Sequence, residues 1–227
     1  MPFAGKFCIY VERSYKVMEH IHQLSGTHMD ILKEIGNIGA GNAATALSKL
    51  LNKKIEMTVP HVQISTFDEV MELIGGAEQV VACVYLRIEG DAPGNMFFVL
   101  SLAQAERFIR QMTGDETFTF DKHPSELGQS ALQELGNILA GSYLSALADF
   151  TNLALYPSVP MLTVDMIGAI LQYGLLELSR VGDYAIVIDT ALYDERRPED
   201  SVNGHFFLLP DPDSFASIFR ALGVDLS

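Results

Sequence analysis

Residues 30–60 read DILKEIGNIGAGNAATALSKLLNKKIEMTVP, and residues 130–160 read SALQELGNILAGSYLSALADFTNLALYPSVP. The two stretches align without a gap at an offset of 100 residues and share 12 of 31 positions. About two identities are expected from average residue usage. The shared positions include Glu34/Glu134, Gly36/Gly136, Asn37/Asn137, Gly41/Gly141 and Pro60/Pro160. A repeat of this quality predicts a chain built from two copies of one structural unit.

The repeat also decides how its glycines are read. A dinucleotide-binding loop needs G-x-G-x-x-G between a strand and a helix. Here the order is G-x-x-G-x-G, and the preceding MDILKE suits a helix. The second copy replaces Gly39 by Leu139. No G-x-x-x-x-G-K-[ST] loop occurs in the chain. On a helix, Asp30, Glu34, Asn37 and Gly41 fall within about 60° of one another. Leu32, Ile35, Gly39, Ala43, Ala46 and Leu50 take the opposite side. In the second copy Ser130, Glu134, Asn137 and Gly141 form the polar stripe. Leu132, Leu135, Leu139, Ala146 and Phe150 form the apolar one. Each helix is expected to bury one face and show the other to solvent or a partner. A glycine inside a helix costs about 1 kcal/mol against alanine. Close helix packing would explain Gly36 and Gly39. For Gly41 and Gly141 two explanations stay open, close packing and access for a partner to the Asn amide.

Outward from the repeat, each unit reads helix, strand, short helix, two strands, helix. The expected elements of the first unit are a helix over 29–52, a strand over 54–66 and a short helix over 67–76. Strands over 80–90 and 94–100 and a helix over 102–114 complete it. Residues 115–126 (DETFTFDKHPSE) read as a polar linker. The second unit repeats the order, with a helix over 125–149 and a strand through Pro160. A short helix over 166–178, strands over 184–194 and 204–210 and a helix over 212–223 follow. Pro60 and Pro160 are placed within strands, which should therefore be edges or bulged. Phe97, Phe98, Phe206 and Phe207 hold equivalent places in the two hairpins and read as core. The expectation is an α+β fold with pseudo-twofold symmetry. An α-β-α-β-β-α unit is duplicated, both copies share one β-sheet, and two long exposed helices carry the sites. Residues 1–28 form an N-terminal extension of no assigned role. Residues 29–227 form a single domain of two repeats, 29–118 and 125–227.

Bulk properties narrow the function. The 227 residues are 48% hydrophobic, enough for a sizeable core. No window approaches 18 consecutive apolar residues, so no membrane insertion is expected. The N-terminal twenty residues lack the uninterrupted apolar stretch of a secretion signal. The net charge is −14, which disfavours nucleic acid and anionic lipid as partners. Two cysteines, Cys8 and Cys83, form no metal or disulfide pattern. A cytoplasmic protein with free thiols is expected. His20, His22 and His28 read as a solvated segment rather than a metal site. His61, His123 and His205 read as isolated structural residues. No metal site of the chain's own is expected.

The stripes lack a Ser/His or Cys/His pair and paired glycosidase carboxylates. They offer Glu and Asn at i and i+3, which are surface neighbours on a helix. An amide carries a donor and an acceptor at fixed spacing and can aim a water molecule. Aiming suffices when the electrophile is already activated, as in phosphoryl transfer. The motif is therefore plausible as half of an active site, with the other half brought by the substrate.

The doubled pattern [D/S]-x3-E-x2-N-x22-P resembles the signature of the CheC/CheX/FliY phosphatases of bacterial chemotaxis. Asp30, Glu34, Asn37 and Pro60 carry it once, and Ser130, Glu134, Asn137 and Pro160 carry it again. The phrases GNIGAGNA, LGNILAGSYLSALADF and LYPSVP resemble the CheC branch. The resemblance implies hydrolysis of the aspartyl phosphate of CheY. Asn37 and Asn137 would position the water, and Glu34 and Glu134 would pair with the active-site lysine of CheY. It implies no cofactor of the chain's own, the Mg²⁺ being carried by the phosphorylated CheY. It further implies the deamidase CheD as a partner, contacted by the helix after Pro160 around Asp165–Leu171, although that segment also reads as an ordinary amphipathic helix. A monomer or a heterodimer with CheD is expected. The alternative is a non-enzymatic module that docks phospho-CheY and CheD. A third reading makes Glu34 and Glu134 mere surface acids, but solvated faces diverge freely and these did not.

Overall fold

In a computed structural model of the chain, residues 26–121, 125–177, 184–195 and 197–223 are described. The first half runs α1 (Gly26–Leu51), β1 (Ile55–Thr58), β2 (Val62–Thr66), α2 (Phe67–Ile74), β3 (Val80–Gly90), β4 (Gly94–Ser101) and α3 (Leu102–Thr113). The second runs α4 (Glu126–Thr151), β5 (Leu155–Pro157), β6 (Met161–Met166), α5 (Ile167–Glu177), β7 (Tyr184–Asp194), β8 (Arg197–Pro210) and α6 (Pro212–Ala221). Residues 26–28, assigned above to the N-terminal extension, belong to α1. The rest of that extension, with Cys8, His20 and His22, lies outside the described residues, as does His123. β8 starts at Arg197, earlier than the Gly204 expected.

Local chemistry fixes several ends. Ser125 caps α4 by accepting from Gly128 N, and Thr66 and Glu69 form a reciprocal capping box on α2. Asn52 and Asn152, with φ of 49° and 56°, follow the two long helices in the left-handed region. Asparagine tolerates that conformation because its short amide bonds locally. The two motif prolines correct the sequence reading. Neither lies within a strand, because Pro60 falls between β1 and β2 and Pro160 between β5 and β6. Proline has no N–H for the ladder, so pairing stops there and resumes beyond it.

The strands form one eight-stranded antiparallel sheet in the order β1-β7-β8-β4-β3-β5, with β2 also on β7 and β6 also on β3. Each outer strand pairs with the hairpin of the other half. β4 and β8 meet in the middle with Phe97 opposite Phe207. One face of the sheet carries the larger core. It joins Leu32, Ile35 and Leu47 of α1 to Leu132, Leu135 and Leu139 of α4, with Phe108 of α3 and Phe219 of α6. The other face is covered by α2 and α5 through Phe67, Val70, Ile167 and Ile170, packed on Phe97 and Phe207.

Two further expectations change. Leu50 and Phe150, placed on the buried stripes, are 50% and 45% exposed. Helical spacing assigns a face but not where the neighbouring surface ends. The stretch read as a polar linker is partly core: Phe118 is fully buried, and its carbonyl accepts from Arg110 Nε and Nη2.

Candidate active sites

α1 and α4 lie against each other on the same face of the sheet and turn their polar stripes outward. Asp30, Glu34, Asn37 and Gly41 are exposed on α1, and Ser130, Glu134 and Asn137 on α4, while Gly141 is half-buried. Directly beneath them Leu32, Ile35, Gly36 and Gly39, and Leu132, Leu135, Gly136 and Leu139, are buried. Among the described residues no side-chain hydrogen bond or ion pair engages Glu34, Asn37, Glu134 or Asn137. Their polar atoms are free to meet another molecule, and the helix fixes each Glu and Asn one turn apart.

In the second half the motif residues converge. Ser130, Glu134 and Asn137 line an open groove of about 540 Å³ whose far wall is Pro157, Ser158, Val159 and Pro160, with Gln133 at its side. Gln133 Nε2 donates to the Pro160 carbonyl at 2.5 Å. The first half is arranged differently. There Val59 is buried, and a Cβ on Gly36 would lie 3.4 Å from Val59 Cγ1. Pro60 follows it, exposed. A Cβ on Gly136 would instead collide with Val84 of β3.

The glycines separate into two kinds. A Cβ on Gly39 would lie 2.7 Å from Tyr143 Cδ1 and 3.0 Å from Tyr143 Cα, so Gly39 allows a close approach of α1 and α4 there. Among the described residues nothing lies within 4 Å of the missing Cβ at Gly41 and Gly141. That excludes internal packing as their reason and leaves open space one turn past each Asn.

Among the described residues no group of three or more His, Cys, Asp or Glu could hold a metal ion. His205 Nδ1 pairs with Asp189 Oδ1 at 2.7 Å, and His61 meets Gln63 at 3.2 Å. Cys83 is free and fully buried, and burial pushes its thiol up, away from reactivity. Asp165 lies on strand β6, not on the helix expected there, because Val81 of β3 pairs opposite it in the ladder and α5 begins only at Ile167. It stands apart from both stripes, at a cleft of about 410 Å³ shared with Tyr85, Phe97, Met161, Thr163, Ala169 and Ile170.

The comparisons with known proteins fall on these same segments. A CheC-like family model matches residues 28–64 and 127–164. The chain is 52% identical over 199 residues to the CheY-P phosphatase CheC of Bacillus subtilis, covering 87% of this chain and 95% of that one. The chain belongs to the CheC-like family. A second relative of this CheC-like chain is the flagellar motor switch phosphatase FliY of Bacillus subtilis, 31% identical over 128 residues, 56% of this chain and 33% of that one. The fold is similar to that of Thermotoga maritima FliY, with a TM-score of 0.66, 20% identity and coverage of 88% and 98%. Both stretches matched by the family model begin at a long helix and end just past its motif proline. They contain every residue of the two Glu-x-x-Asn motifs.

The sequence reading missed Gln133, Ser158 and Val159. A weak signal was available for Gln133, which sits four residues before Asn137 and so shares its helix face. Ser158 is placed by its hydrogen bonds to Arg87 of β3, and Val159 follows it; no local pattern announces those contacts.

Proposed function

We propose that this CheC-like protein is a phosphatase that hydrolyses the aspartyl phosphate of the chemotaxis response regulator CheY. The observation that carries the reading is the pair of exposed Glu-x-x-Asn stripes, each on a buried-backed helix and, among the described residues, with no partner for the Glu and Asn side chains. The name of the 52%-identical relative supports the substrate.

The chemistry follows from what the stripes hold. The regulator brings the acyl phosphate and its own Mg²⁺, which offsets charge on the phosphoryl oxygens. Asn37 or Asn137 accepts from and donates to one water and aims it at the phosphorus, in line with the aspartyl oxygen. The water oxygen bonds to phosphorus as the phosphorus–aspartyl bond breaks. Inorganic phosphate leaves, the Asp carboxylate is restored and the water proton passes to solvent or phosphate. Glu34 or Glu134 binds a lysine ammonium of the regulator and fixes the docking angle. Because the acyl phosphate is already activated, positioning supplies most of the acceleration. The open space at Gly41 and Gly141 admits the regulator's surface to the amide. Asp30, Ser130, Pro60 and Pro160 support the motif by shaping its ends.

The two halves are read as copies of one ancestral unit. Support comes from the shared residues at an offset of 100 and the repeated element order. CheD is the further partner we infer, docking at the Asp165 cleft, where an exposed carboxylate borders apolar side chains. A cytoplasmic protein, monomeric or paired with CheD, fits this role. Among the described residues no helix is long and apolar enough to cross a membrane.

The test is phosphate release from phospho-CheY with Mg²⁺, with wild type and with Asn37→Ala/Asn137→Ala. Acceleration by wild type alone supports the reading. Binding without acceleration would replace it by a docking module that shields phospho-CheY. An Asp165→Arg variant should lose CheD in a co-purification assay while keeping phosphate release.

A further inference from the structure

The two halves treat the strip before their motif proline differently. In the second half it is tied from both sides. Gln133 Nε2 donates to Pro160 O at 2.5 Å. Ser158 N donates to Arg87 O at 2.8 Å, and Arg87 N donates to Ser158 Oγ at 2.9 Å. Between these ties Val159 projects, 80% exposed. The strip is thus tied between α4 and β3 and forms the far wall of the groove in front of Glu134 and Asn137. In the first half Val59 folds down onto Gly36. The position matching Gln133 is Lys33, exposed and making no hydrogen bond to Pro60.

We propose that Gln133 is a positioning residue of the second site: it holds residues 157–160 as the preset far wall of the groove that receives the phosphorylated regulator. The inference rests on the phosphatase reading for the identity of what docks. Gln133 lies one turn before Asn137 on the same face, so one helix turn carries both the amide that aims water and the amide that sets the wall. A wall ordered in advance need not be ordered on docking, and that saving appears in affinity rather than in the chemical step.

The test uses the full chain with the first site blocked by Asn37→Arg. Binding is measured to CheY activated with beryllofluoride, and kcat and KM are measured for phosphate release from phospho-CheY. Gln133→Met keeps the length and removes the donor. It should raise Kd and KM by about fivefold, the worth of one hydrogen bond, and leave kcat within about twofold. Amide hydrogen exchange at Ser158, whose N–H donates to Arg87 O, should quicken. Gln133→Lys, which keeps a donor of sufficient reach, should return Kd to within about twofold. An unchanged Kd in Gln133→Met, a fall in kcat alone, or a Lys variant as weak as the Met variant would each overturn the proposal. If neither the blocked protein nor the unblocked chain releases phosphate while both bind activated CheY, the phosphatase reading fails, and the Kd comparison still decides the role of Gln133. If the blocked protein does not bind activated CheY, the groove is not a docking groove and the proposal falls.

Discussion

Asn37 and Asn137 do their work, in the reading given above, with one amide each and nothing behind it. Among the described residues their side chains have no partner, so replacing either should leave the fold intact. Surface substitutions away from special features shift stability by only about 0.5 kcal/mol. Activity should respond far more. Each Asn→Ala change alone should lower phosphate release, and the double variant should lose about a hundredfold, a typical cost of removing one aimed hydrogen-bonding group from a transition state. Equal activity of the double variant and wild type would sink the water-positioning role. A second residue-scale expectation concerns Cys83. Its thiol is buried and held neutral well above the usual range, so it should resist alkylation in the native protein at neutral pH and react only on unfolding. Site-resolved mass spectrometry distinguishes it from Cys8.

Helix α1 shows how one residue type serves two purposes two residues apart, on opposite faces of the helix. Gly39 faces α4, where a methyl group would meet the Tyr143 ring and backbone. Gly39→Ala should therefore destabilise the protein by about 2 kcal/mol, overpacking outweighing the gain in helix propensity. Gly41 faces open space. Gly41→Ala should instead stabilise by about 0.5–1 kcal/mol. Chemical denaturation of the two variants checks the opposite signs. A matching loss of phosphate release in Gly41→Ala, despite its greater stability, would place the docked regulator over that position. The helix itself was legible from spacing, because Leu32, Ile35, Leu132 and Leu135 recur at the period of a helix face. The separation of Gly39 from Gly41 was not, because it depends on which neighbour lies opposite.

Across the whole molecule, the sheet interlocks the halves. β1 and β2 have their ladder partner, β7, in the second half, and β5 and β6 have theirs, β3, in the first. The ion pair of Arg87 with Asp211, bidentate at 2.8 and 2.5 Å, joins β3 to the start of α6 across the same divide. Either half expressed alone would leave its outer strands and one side of its central hairpin without partners, an open edge that water and other chains would contest. Residues 26–121 alone should not give a folded monomer. Sedimentation together with a thermal melt followed by circular dichroism tests this, and a cooperative melt from a monomeric species would contradict it. The two candidate sites thus share one cooperative unit, although each lies in its own stretch of the sequence repeat.

The sequence alone determined the repeat, the two long helices, both hairpins and the polar stripe with its Glu and Asn. All of these are written in local periodicity, where one residue's face follows from its distance along the chain. Tertiary structure decided what depends on the neighbour. It set the exchange of outer strands between halves and the breaks at Pro60 and Pro160. It buried Phe118 in a stretch that reads as linker. It also made the two sites unlike, one with Val59 packed down on Gly36 and one with Val159 standing free. The same Gly, Val and Pro occur at matching positions in both repeats. What lies across from them differs, Val59 against Gly36 in one half and Val84 against Gly136 in the other. Packing is a relation between segments distant in sequence, and so a repeated motif specifies its helix twice but its surroundings only once the halves have met.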